Sequence, residues 1–132
     1  MRRSCAAAFA MFALAIPAAA DPFAALPVGS QWRITGVAGE ALPAGAEITL
    51  VRADAGMIGG KVICNQYSRP IRAVGEALVV GGLTTTKMLC DFEFFKYEFA
   101  FNDLLGKVDA VRAGGGGIEF LSAGAVVITA AE

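Results

Sequence analysis

The chain contains no histidine in 132 residues. That removes the usual general base near neutral pH, the commonest metal ligand, and the Ser-His and Cys-His catalytic pairings. Only three cysteines are present, and without histidine they make a four-ligand zinc site hard to assemble within one chain. There is no Cys-x-x-Cys and no dinucleotide fingerprint. The glycine run 114–117 lacks the Lys-Ser/Thr that would make it a phosphate loop, so it reads as a flexible hairpin turn. Charge is sparse and nearly balanced, with 11 basic against 12 acidic side chains. No block of like charge offers a footing for nucleic acid or anionic lipid head groups. Glu93 and Glu98 fall on different faces of the helix expected below, and Asp103 and Asp109 read as solvated positions. No enzyme, no cofactor and no metal site is expected.

What is present begins with an export leader. Arg2 and Arg3 supply a positive end, residues 6–16 form an apolar run, and Pro17-Ala18-Ala19-Ala20 offers a small-residue cleavage site. The apolar run is short for a permanent bilayer span. Residues 1–20 are therefore expected to be a cleaved signal peptide, the alternative being an uncleaved amino-terminal anchor. Cleavage would leave residues 21–132 in the periplasm or outside the cell, not as an integral membrane protein. Cys5 precedes the apolar run and leaves with it, so Cys64 and Cys90 become the remaining thiols.

The rest has the length and composition of one globular domain. Residues 21–30, with Pro22 and Pro27, read as an extended lead-in. Alternating apolar and polar residues predict strands over 31–37, 47–52, 57–64 and 77–80, then over 108–112, 117–121 and 125–129. Gly59-Gly60 suggests a weak point or bulge in the third of these, and Arg69-Pro70 a break after it. The stretch 91–108 is ambiguous by pattern, but its length favours a helix at about 91–106. Phe94, Tyr97, Phe101, Leu104, Leu105 and Val108 then form one apolar stripe. Asp91 is placed to cap its start and Gly106 to end it. Phe92, Phe95 and Phe99 gather on the other side, either as a rim of the core or as an aromatic surface that receives a partner or an acyl chain.

Cys64 and Cys90 suit a disulfide in an oxidising compartment. Two reduced thiols acting as small apolar fillers on neighbouring strands remain the alternative. Beside them stand Asn65, Tyr67 and the Thr84-Thr85-Thr86-Lys87 run. These residues fit turn and edge roles, or a polar recognition patch with Lys87 as its charge.

Trp32 near the first strand, Cys64-Asn65-x-Tyr67, and Thr86-Lys87-Met88-x-Cys90 ahead of a helix ending in Leu104-Leu105 occur in an order that resembles the META domain family, which includes HslJ-like heat-shock proteins of bacterial envelopes. The resemblance runs from about Trp32 to Ile128. It departs at Ile63, where the family usually has glycine, and after Tyr67, where Ser68-Arg69-Pro70 blurs the expected small residue. It implies an α+β fold for residues 31–132: a curved, mostly antiparallel, open barrel-like sheet with one packed helix. It carries no catalytic residues. It implies a non-enzymatic protein of the stress response and of envelope integrity. Together with the aromatic helix and the polar patch, a monomer that binds a protein or lipid is expected, with Phe92, Phe95, Phe99, Asn65, Tyr67 and Lys87 as candidate contacts. The alternative is a structural or inhibitory module that docks to another exported protein through its loops.

Overall fold

The computed structural model describes residues 8, 10, 11 and 21–132. The expected cleavage site and most of the leader lie outside the described residues. Ten strands follow in order: β1 (Gln31–Val37), β2 (Glu40–Ala41), β3 (Thr49–Asp54), β4 (Met57–Val62), β5 (Asn65–Val74), β6 (Ala77–Val80), β7 (Thr84–Thr85), β8 (Ala110–Gly114), β9 (Gly117–Ser122) and β10 (Ala125–Ala131). Between β7 and β8 a 3-10 turn (Phe92–Phe94) leads directly into α1 (Phe95–Leu105).

The strands form one antiparallel sheet in the order β6-β5-β4-β3-β1-β10-β9-β8, with β2 paired to β1 and β7 to β5. The sheet does not close. Its two edges approach where the Leu78 amide in β6 donates to the Asp109 carbonyl just before β8, at 2.9 Å. The expected open, curved sheet with one packed helix is the observed fold.

Local chemistry explains the strand connections. Gly115 and Gly116, in the glycine run, adopt φ of 63° and 81°. Both signs match a primed hairpin turn, whose twist suits the flanking strands. At the β3–β4 turn the Asp54 carboxylate accepts from the Gly56 amide at 2.8 Å, the local side-chain bond that favours Asp in turns.

Alternation along the strands sends Ile34, Val37, Leu50, Ile58, Ile118, Phe120 and Ile128 into one core. The helix completes it. Phe101 and Leu105 are fully buried against the sheet, near β1 and β10, and the Phe101 ring meets Tyr67 edge-on at 5.3 Å between centroids. Each such side chain contributes about 1.5–3 kcal/mol by leaving water.

Four details differ from expectation. Residues 21–30 are not extended. They fold in turns closed by Ala24 N–H to the Asp21 carbonyl and Leu26 N–H to that of Phe23, because Leu26 is drawn wholly into the core. Arg52, itself buried, locks the segment down by donating to the Leu26 carbonyl at 2.8 Å and stacking on the Phe23 ring.

Arg69-Pro70 does not end a strand, since β5 runs straight through it. Pro70 sits where β5 exchanges β4 for β6 as its neighbour, a ladder boundary that tolerates a missing N–H. Gly59-Gly60 makes no bulge, because the β4–β5 register is continuous. A side chain at Gly59 would meet the Tyr67 carbonyl at 2.7 Å, so close backbone approach is what requires glycine there. Finally, Asp91 precedes the 3-10 turn without any side-chain cap; Gly106 does end α1 as expected, but with φ of −66° and not in the left-handed conformation. Glycine at 106 gives room to Arg69, whose guanidinium would lie 3.0 Å from an added Cβ.

Candidate functional site

Helix α1 buries one face and leaves the other exposed. Phe95 is 41% exposed, Phe99 60% and Phe92 91%. The Phe95 and Phe99 rings meet edge-to-face at 4.5 Å, which is one turn of helix apart. Opposite them runs the chain segment 83–89, whose Leu83, Met88 and Leu89 are also exposed, Leu89 at 96%. Between helix and segment lies a groove of about 550 Å³ lined by those two phenylalanines, these three aliphatic side chains, Thr85, Thr86 and Lys87, with Asn65, Arg69 and Glu98 below. A shallower depression of about 870 Å³ continues over Phe92, Phe95 and Phe99.

The outer wall of the groove has almost no regular structure, yet it is held firmly. Cys64, in the turn after β4, is disulfide-bonded to Cys90 just before the 3-10 turn, with Cα atoms 5.6 Å apart. The expected disulfide is therefore present, and the reduced-thiol alternative falls away. Asn65 supplies the second brace. Its Oδ1 accepts from the Met88 amide at 2.7 Å and the Thr86 hydroxyl at 2.9 Å. Its Nδ2 donates to the Met88 carbonyl at 3.1 Å and to Glu98 Oε1 at 2.9 Å. One buried amide thus ties the wall to itself and to the helix.

The expected site residues separate accordingly. Phe95, Phe99, Lys87 and Asn65 line the groove, with Lys87 exposed at its rim and Asn65 beneath as a brace. Phe92 lies beyond the groove, on the shallower depression. Tyr67 is not on this surface. Its ring is in the core and its hydroxyl donates to the Thr49 carbonyl at 2.7 Å. Burial pushes this phenol far above its ordinary pKa, while the Arg69 charge pulls it down.

Two charged groups of the floor had no role in the sequence-based expectation. Arg69 is buried, and its guanidinium donates to the Gly81 and Asn102 carbonyls. Burial lowers its pKa, which the Tyr67 and Asp103 charges oppose. Glu98 is only 9% exposed. Its signal was available: Glu98, Phe101 and Leu105 recur at i, i+3 and i+7, so a carboxylate occupies a position on the buried stripe. Among the described residues no three His, Cys, Asp or Glu side chains gather to hold a metal ion, and no helix is long and apolar enough to cross a membrane.

Ile63 explains one departure from the family pattern. It holds φ of 59°, the left-handed region, immediately before Cys64, and this is costly for a β-branched side chain. Burial of the side chain in the core offsets the strain. Ile63→Gly is therefore expected to be more stable than Ile63→Ala by about 1 kcal/mol, the reverse of the usual order. Urea midpoints of the two variants check this, and an alanine variant at least as stable as the glycine one would contradict it.

No curated protein and no solved structure matches the chain significantly. The sequence model of the META domain matches residues 24–132, beginning within the turns that Leu26 anchors and spanning every strand, the cystine and the helix. On this match the chain belongs to the META domain family.

Proposed function

We propose that this META domain is a non-enzymatic binding protein of the periplasm, or secreted, that takes up a lipid-like ligand in the groove beside α1 and supports the envelope under stress. The observation that carries the proposal is the pairing of two half-exposed phenyl rings with Leu83, Met88 and Leu89 across about 550 Å³. Grooves of this size lined by apolar side chains, with few polar groups, suit a drug-sized or acyl ligand. Isolated exposed apolar residues are ordinary, but a contiguous patch of aromatic and aliphatic groups in a concave setting is not. The META domain is not a known catalytic family, and the absence of histidine agrees with a binding role. The export leader expected from the sequence and the cystine both suit an oxidising compartment.

A second reading, docking to another exported protein, draws on Phe92, which stands almost wholly in water on the shallower depression. The two readings separate on the same variant. Replacing Phe95 and Phe99 together with serine is expected to weaken binding of a fluorescent acyl-chain probe at least tenfold, since removing one ring contact of about 1.4 kcal/mol already accounts for that factor. Both rings are on the surface, so the far-UV circular dichroism and urea midpoint should barely move. Unchanged probe affinity and unchanged stress survival would end the lipid reading. A stoichiometric protein co-purifying from periplasm through Phe92 would favour the second.

A further inference from the structure

Resting on the groove as the binding site, we infer that its ligand is a cationic amphiphile: an apolar body between α1 and the segment 83–89, and a protonated amine on Glu98. Four charged side chains border the groove, Arg69, Lys87, Glu98 and Asp103. Their availability differs. The Arg69 guanidinium is taken up by the Gly81 and Asn102 carbonyls, and its remaining Nε–H is sealed from solvent without a partner. Asp103 is exposed and pairs with Lys107 at 3.1 Å. Lys87 is exposed at the rim, where water screens its charge and lowers what a contact is worth.

Glu98 alone combines burial with a free, reachable atom. Its Oε1 accepts from Asn65. Among the described residues Oε2 has no donor within hydrogen-bond reach, yet it is not among the sealed polar atoms, and Glu98 lines the groove. A carboxylate on a side chain nine-tenths buried, with one unfilled oxygen, is screened less than one on the open surface. An ammonium group supplies both the missing donor and the compensating charge. The walls around it then cover an alkyl or aromatic body. Charge complementarity at a buried group sets specificity more than raw affinity does, so Glu98 is expected to choose the head group and the phenylalanines to hold the tail.

The test uses residues 21–132 within the folded protein and three ligands of equal chain length, dodecylammonium, dodecanol and dodecanoate, each below its micelle concentration. Dodecylammonium is expected to bind at least tenfold more tightly than either of the others. Glu98→Gln keeps an acceptor for Asn65 and is expected to abolish that preference. Glu93→Gln, which removes the same charge outside the groove, should leave the preference intact. The Glu98 Cδ carbon resonance of the unaltered protein should shift on adding dodecylammonium, a readout that needs no variant to fold. Equal binding of the three ligands, tighter binding of dodecanoate (the result Lys87 would produce), a preference that survives Glu98→Gln, or a static Cδ resonance would each overturn the inference while leaving an apolar groove. Failure of all three ligands to bind would instead remove the groove as the site.

Discussion

Replacing Asn65 with alanine is expected to cost roughly 4 kcal/mol of stability and to abolish binding in the groove. The side chain makes hydrogen bonds to Thr86, twice to Met88 and to Glu98, and each is worth about 1 kcal/mol net. The change also strips Glu98 Oε1 of the one donor it has among the described residues, which loosens the tie between wall and helix. Hydrogen exchange locates the effect. The Met88 amide, which donates to Asn65 Oδ1, should lose its protection, whereas the Ile34 amide, bonded to the Ile48 carbonyl across the sheet, should slow or quicken only with global stability. A variant as stable as the parent, or one whose Met88 amide stays protected, would show that the wall does not depend on Asn65.

Removing the cystine should act differently, although it braces the same segment. Cys64 and Cys90 are separated by 26 positions, and opening a loop of that length is expected to lower stability by about 3.5 kcal/mol in the chain-entropy model. Most of that effect lies in the unfolded chain. The native wall keeps its Asn65 bonds, so Cys64→Ala combined with Cys90→Ala should bind the acyl probe within threefold of the parent wherever it remains folded. The urea midpoint falls sharply while the affinity stays. A folded double variant that has lost binding would mean that the disulfide, and not Asn65, shapes the groove. The contrast between the two variants separates a brace acting in the native state from one acting on the unfolded state.

Stability in this fold therefore concentrates around a segment with little regular structure. Residues 83–90 add only the two residues of β7 to the sheet. They stay in place through the cystine, the buried Asn65 amide and a short pairing with β5 that includes bonds between Thr86 and Gln66, and in doing so they keep an apolar wall away from the helix. Without that separation Phe95 and Phe99 would be free to collapse onto Met88 and Leu89, as apolar surfaces do in water.

Much of this was legible from the residues. The alternation of Trp32, Arg33, Ile34 and Thr35, the turn glycines at 115 and 116, and the stripe through Phe101 and Leu105 report local geometry, because strand and helix periods are properties of neighbouring positions. The cysteine pair was also legible as a bridge, since compartment and count constrain it before any contact is known. Three things were decided only by tertiary structure. Tyr67 turns inward and Asn65 becomes a brace because both alternate onto the buried face of β5, where helix α1 and residues 84–90 close over them, and which distant segments cover that face is something no local pattern encodes. Leu26 is taken into the core by distant strands, which folds a proline-flanked segment otherwise suited to extension. And the outward phenylalanines become a groove because a cystine and an amide from residues about 30 positions earlier hold a second wall opposite them. Periodicity assigns a side chain to a face of its own element, whereas what that face meets depends on contacts between residues far apart in the chain.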